Sequence, residues 1–169
     1  MTRTRFDGRF SHPDAGATPW EATEKVLREA ELYWLSTVRA DGRPHVAPLI
    51  GVWLDGAAYF ITGHDEQKAR NLAHSPLVSL TTGCNTWAEG HDVIVEGTAT
   101  RQTDPAVLQR LVDAVLDKYG AAWSFEVTGD ALVEAGAPDA PPGGLFAITP
   151  AKVLSFAKDP HAQTSYDFD

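Results

Sequence analysis

The sequence predicts a mainly β, α+β fold: a small antiparallel barrel of six or seven strands with two main helices. Three observations carry this. Two Asp-Gly turns, Asp41-Gly42 and Asp55-Gly56, stand close together between apolar, β-branched runs, the pattern of a meander. A long alternation sets Val93, Val95, Gly97 and Ala99 against Ile94, Glu96, Thr98 and Thr100, as in a strand with one buried face. Two helix starts, Thr18-Pro19 and Asp104-Pro105, each put a capping residue before a proline. Closing such a sheet into a barrel leaves no free edges.

Residues 1–17 are polar, rich in Arg, Asp and Gly, and without period, so they are expected to form a mobile N-terminal arm ahead of a single domain over residues 18–169. Thr18 as N-cap, Pro19 at N1 and Glu21 at N3 open a helix running to about Leu32, with Val26, Leu27 and Ala30 inward. Tyr33 to Arg39 and Pro44 to Leu54 are strands, and a third ends at Thr62-Gly63. A short helix begins near Glu66 with Asp65 as its cap, and Leu77 to Thr82 and His91 to Thr103 are the next strands. From Asp104, the stripe Val107, Leu108, Leu111, Val112, Val115 and Leu116 makes a core-facing helix that Gly120 stops. Asp130 to Gly144, dominated by Ala, Pro and Gly, reads as a loop, and Leu145 to Thr149 and Lys152 to Ala157 as a last hairpin turning at Pro150-Ala151.

At 169 residues with 43% hydrophobic content the chain can bury one full core. A net charge of −9 opposes binding to nucleic acid or an anionic membrane. The single cysteine, Cys84, excludes an intrachain disulfide framework, and no apolar run is long enough for a bilayer span or a leader, so a cytoplasmic protein is expected. The six histidines lack the tight pair spacing of zinc ligands, and no metal site is expected. There is no GxSxG elbow and no GxGxxG after a strand, so no catalytic side chain is identified.

The chemistry concentrates after the third strand, where Thr62 and Gly63 are followed by Lys68, Arg70 and Asn71 in the first turns of the short helix. A helix N-terminus attracts anions, and Lys68 is the wrong charge for that turn unless an anionic ligand is bound there. On spacing alone, a solvated face in which Asp65 and Glu66 neutralise Lys68 and Arg70 explains the same residues. Pro48 in mid-strand suits a bulge, a ligand-facing edge or an ordinary edge strand. Trp87, in a polar loop, covers either a flat ring, a dimer contact or its own loop.

The ordered set Asp-Gly turn, Arg43-Pro44-His45-Val46-Ala47-Pro48, Tyr59-Phe60-Ile61-Thr62, Lys68-Ala69-Arg70-Asn71-Leu72 and Ser75-Pro76 resembles the flavin/deazaflavin split β-barrel superfamily. That superfamily includes pyridoxamine 5′-phosphate oxidase and the oxidoreductases that use coenzyme F420. The resemblance implies that the backbone of His45, Val46, Ala47 and Pro48 lies along the isoalloxazine or deazaflavin ring. It implies that Thr62, Gly63, Lys68, Arg70 and Asn71 hold the phosphate and that the ring sits between the two subunits of a homodimer; Ile61 and Trp87 are further candidates for cofactor binding. Its C-terminal region departs from the pattern: His161 to Asp169 has no arginine, which argues against vitamin B6 oxidation. Thr164-Ser165-Tyr166-Asp167-Phe168 keeps a Thr-Arg-aromatic-x-Phe frame of deazaflavin-using relatives and loses its arginine.

The implied function is hydride transfer between a deazaflavin (coenzyme F420) or FMN and a small unsaturated or quinone-like substrate, the deazaflavin being favoured. The alternative is a non-catalytic flavin- or haem-binding protein of the same barrel. Arg39, Arg43 and Arg101 are candidates to line an exit for the anionic tail of the deazaflavin, with solvated surface arginines as the alternative.

Overall fold

The computed structural model describes residues 2–137 and 139–168; Met1 of the expected arm, Pro138 of the expected loop and Asp169 lie outside them. Among the described residues there are eleven strands: β1 (Thr2–Phe6), β2 (Tyr33–Val38), β3 (Pro44–Leu49), β4 (Val52–Leu54), β5 (Ala57–Gly63), β6 (Leu77–Thr82), β7 (His91–Gln102), β8 (Phe125–Thr128), β9 (Ala131–Glu134), β10 (Gly143–Lys158) and β11 (His161–Phe168). Three α-helices, α1 (Trp20–Glu29), α2 (Gln67–His74) and α3 (Pro105–Tyr119), complete the set. The mainly β, α+β split-barrel class stands, with more strands than the expected six or seven. β4, β8 and β9 have only 3, 4 and 4 residues, too few to display an alternation.

β10 is the strand on which the sheet divides. One edge pairs with β7, from Leu145 opposite Gln102 to Ala157 opposite His91. The other edge pairs first with β5, Gly143 opposite Gly63 to Ile148 opposite Ala58, and then with β11 from Lys152 to Lys158. The register shifts between Pro150 and Lys152, so a bulge stands where a hairpin turn was expected. Proline has no N–H for the ladder, and the strand bends there instead of reversing. The path β1-β11-β10-β7-β6-β2-β3 is open, so the expected closure is not reached and β1 and β3 form its edges.

The expected mobile arm is corrected over Thr2–Phe6, which pairs residue for residue with β11. All five of these residues are exposed, so no hydrophobic period marks the strand and backbone bonds hold it. The expected strand from Pro44 to Leu54 breaks at Ile50-Gly51, where a Cβ on Gly51 would lie 2.8 Å from the Tyr59 carbonyl oxygen. Thr18 does not cap α1: Pro19 holds the N-cap position without a side-chain bond, and the Thr18 N–H donates to Thr164 Oγ1 at 2.9 Å. α3 begins as expected, with Asp104 Oδ1 accepting the Ala106 N–H at 2.9 Å, and Gly120 ends it at φ 67°.

Two apolar clusters flank the sheet. One packs Leu27 of α1 against Leu35, Phe60, Val95, Ile148 and Val153. Trp20 joins it, 5.0 Å from Tyr166 and 5.3 Å from Phe168 between ring centroids. The other packs Leu108, Leu111, Val112 and Val115 of α3 on Val52, Leu132 and Leu145. At the end of α3, Lys118 Nζ donates to the Gly51 carbonyl at 2.9 Å and to the Tyr33 hydroxyl at 3.1 Å. Burial pushes the Lys118 ammonium down to about 8, against the opposing charge of Glu31. No helix among the described residues is long and apolar enough to cross a membrane.

Candidate functional site

β5 ends at Thr62-Gly63, and the chain turns directly into α2. The N-cap position is Glu66 rather than the expected Asp65, and no side chain caps the helix. Glu66 turns back toward β5 instead. Its Oε1 accepts the Gly63 N–H at 2.8 Å and the Thr62 hydroxyl at 3.2 Å, and its Oε2 accepts from the Lys68 ammonium. Lys68 is buried, at 8% exposure, and a buried ammonium requires an anion beside it. Burial pushes the Glu66 carboxyl up, but Lys68, the Gly63 N–H and the Thr62 hydroxyl outweigh it and hold the group below the ordinary carboxylate range. A hydroxyl, an amide and an ammonium thus converge on one carboxylate, an oxyanion seat filled by the chain itself. Of the solvated-face alternative, the neutralisation of Lys68 by Glu66 is present and its solvation is not, since Lys68 is buried; Arg70 is exposed as that alternative expects.

A line of polar side chains runs from α2 through β2 to β3. Gln67 Nε2 donates to Asn71 Oδ1 at 2.8 Å, Asn71 Nδ2 donates to Thr37 Oγ1 at 2.8 Å, and Thr37 Oγ1 lies 3.4 Å from His45 Nδ1. Register explains the alignment. Thr37 and Leu35, both buried, stand opposite His45 and Ala47, whereas Ser36 and Trp34 stand opposite Val46 and Pro48. His45 and Ala47 therefore share the side from which Asn71 of α2 reaches Thr37, and Val46 and Pro48 face the other way. Pro48 sits on the edge strand, where proline is tolerated. A cavity of about 310 Å³ adjoins the seat, with Ile50, Ile61, Trp123 and Phe125 among its apolar walls and Thr62, Gly63 and Glu66 at its polar end.

The outward face carries a larger cavity of about 1240 Å³, bounded by Trp34, Ile94 and Phe156 with Trp87 at its rim. Trp87 is 95% exposed there and, within one chain, does not meet the oxyanion seat. At the same rim Lys158 Nζ bonds Asp92 Oδ2 at 2.9 Å and the Cys84 carbonyl at 2.9 Å, and lies 3.3 Å from Cys84 Sγ. The Thr86 hydroxyl, and then Lys158, pull the Cys84 thiol below its ordinary value. Two of the arginines considered for a tail exit carry their own carboxylates, Arg43 with Asp41 at 2.5 Å and Arg101 with Asp130 at 3.0 Å. On β11, Ser165 stands opposite Arg5 of β1, whose Nε lies 3.6 Å from Asp167 Oδ2.

Sequence reasoning had Glu66 as a neutralising neighbour of Lys68 but missed its reach to Thr62 and Gly63, and it missed Thr37 as the link to His45 and Trp123 and Phe125 as walls. The two-residue spacing of Glu66 and Lys68 was a usable signal for the first. The others depend on how β2 and the segment after α3 dock, which no local pattern encodes.

A pyridoxine/pyridoxamine 5′-phosphate oxidase of Acidothermus cellulolyticus is 30% identical over 128 residues, which is 70% of this chain and 56% of that protein. The chain thus spans about half the length of the curated relative it matches. An F420 reductase structure superposes with a TM-score of 0.56 at 23% identity, covering 80% of this chain and 98% of that one. The haem storage protein of Vibrio cholerae superposes at 0.63 with 19% identity, covering 82% and 93%. At these identities the structures establish the fold. The match that settles kinship covers residues 19–157, from the first helix through both halves of the divided sheet and the whole of the seat, and it places the chain in the pyridoxamine 5′-phosphate oxidase family.

Proposed function

We propose that the protein is an oxidoreductase that moves a hydride between a phosphate-bearing cofactor of the flavin type, coenzyme F420 or FMN, and a small unsaturated or quinone-like substrate. The observation that carries this reading is the convergence of the Thr62 hydroxyl, the Gly63 N–H and the buried Lys68 ammonium on one oxyanion. The Glu66 carboxylate stands in for phosphate oxygens, so the donors present fit that group once Glu66 turns to solvent. Membership of the family supports the reading.

When bound, the cofactor supplies the hydride chemistry. The chain supplies grip, orientation and dryness. Thr62, Gly63 and Lys68 hold the phosphate, and exposed Arg70 meets charge on the solvent side. Asn71 fixes Thr37, and Thr37 steadies His45, so the β3 backbone from His45 to Pro48 is presented as an ordered edge along the ring. Ile50, Ile61, Trp123 and Phe125 keep water from the cavity beside it. Val46, Pro48 and Trp87 face away from the seat of their own chain and complete that of a second copy, so a homodimer with the cofactor at its interface belongs to this reading. The outer cavity, with His161 in its wall, favours one second reading, a flavin or haem carrier without turnover.

Titration of the apoprotein with FMN and coenzyme F420 at low and moderate salt tests the proposal, followed by mixing the reduced complex with a quinone. Saturable binding and reoxidation that the protein accelerates are expected. Binding without acceleration identifies a carrier, and tighter FMN binding with no salt-sensitive preference for the tailed cofactor replaces the deazaflavin with FMN. If neither binds, the reading fails.

A further inference from the structure

Glu66 is the one member of the oxyanion seat with no part in the function proposed above. Resting on that reading of the seat, we propose that Glu66 selects ligands by charge: it favours a phosphate bearing one negative charge, a diester, over a phosphate bearing two, a monoester. The seat combines a fixed cation with a displaceable anion. The Lys68 side chain is 9% exposed and cannot withdraw to water, whereas that of Glu66 is 50% exposed and can. The Glu66 backbone stays in place, because its N–H donates to the Gly63 carbonyl and its carbonyl accepts the Arg70 N–H, each at 3.2 Å. A displaced carboxylate therefore remains within one side-chain length of whatever takes the seat.

Charge then separates the two ligand classes. A monoanion replaces the carboxylate like for like and leaves Lys68 with one counter-charge. A monoester phosphate carries about −1.5 to −2 near neutral pH, and its surplus charge falls beside Glu66 and Asp65, with Lys68 as the buried cation and Arg70, which is exposed, answering it only through solvent. In the seat burial raises the Glu66 carboxyl, but Lys68, the Gly63 N–H and the Thr62 hydroxyl outweigh it and hold the group below the ordinary range; displaced to solvent it loses those partners and is ionised at neutral pH as an ordinary carboxylate, so the repulsion is present. FMN ends in a monoester; the deazaflavin continues beyond its phosphate and presents a diester.

Isothermal titration of wild type, Glu66→Gln and Glu66→Ser with riboflavin, FMN and coenzyme F420 at one low salt concentration is the test. Riboflavin lacks the phosphate and calibrates ring binding. Both variants are expected to tighten FMN by about fivefold, the upper scale of one like-charge contact relieved at a partly exposed site. Coenzyme F420 should tighten by less than about threefold on the same scale, and riboflavin should not change. Unchanged or weaker FMN binding in both variants, or equal tightening of FMN and coenzyme F420, overturns the role of Glu66 alone. Failure of all three ligands to bind any of the proteins overturns the seat itself as a cofactor site, and the selection with it.

Discussion

Helices α2 and α3 begin alike, each directly after an acidic residue, and diverge from that point. Asp104 turns its carboxylate into its own helix and caps the Ala106 N–H. Glu66 turns its carboxylate out of its helix to Gly63, Thr62 and Lys68. α3 has 15 residues and buries Leu108, Leu111, Val112 and Val115. α2 has 8 and buries Lys68, Asn71 and Leu72. A helix as short as α2 is not stable by itself, and burying an ammonium in it costs more than burying leucine would. Where a fold keeps such a residue, binding explains the choice better than stability does.

The contrast can be broken from either helix. Leu111→Ala empties a fully buried position in α3 and should destabilise the protein by about 2–5 kcal/mol, measured by denaturant unfolding, with cofactor affinity of the folded protein unchanged. A parallel loss of affinity would erase the distinction. Lys68→Ala should do the reverse, weakening FMN or deazaflavin binding by about 1–3 kcal/mol while the protein remains folded. Calorimetric titration beside a thermal melt reads both, and unfolding of the variant would make α2 as structural as α3.

The smallest effect sharpens the picture of α3. The folded-state value for Lys118, about 8, lies below its ordinary 10.5, so between these limits the unfolded chain binds more protons and stability rises with pH. Because the side chain is only half-buried, the gain is on the order of 1 kcal/mol. Burial of Tyr33 raises its phenol and acts in the opposite sense only above pH 10. Melting temperatures from pH 7.5 to 10 should rise for wild type and rise by less for Lys118→Met, in which only the lowered Cys84 thiol still acts in the same sense.

What could be read in advance follows the same division. α3 was legible in its bounds and in most of its face, because a cap, a stripe at helical spacing and a terminal glycine are all local signals; Leu116, expected in the core-facing stripe, is exposed instead. β7 was legible because one of its faces is buried along most of its length. β1 was not, since a strand exposed on both faces has no alternation to detect, and β8 was missed as too short to show one. The division of β3 into His45 and Ala47 on one side and Val46 and Pro48 on the other was implicit in the period of two. Which side meets Lys68 depends on the docking of α2 through Asn71 and Thr37, residues 34 positions apart. Glu66 was visible as a neighbour of Lys68, but its reach back to Gly63 is a tertiary fact.

The bulge in β10 sets the phase of everything downstream. Before it, the even-numbered Phe146 and Ile148 face the cluster under α1; after it, the odd-numbered Val153 and Ser155 do. The added residue between Pro150 and Lys152 inverts parity, so one strand keeps presenting the same cluster while it changes partners from β5 to β11. In an unbroken alternation Leu154 and Phe156 would take the inward places, and Phe156 would leave the wall of the outer cavity. The shift would propagate through β11 to β1, which is registered on it. Ala151 thus acts as punctuation: it contributes little contact of its own, yet it fixes the frame in which the last third of the sheet is read.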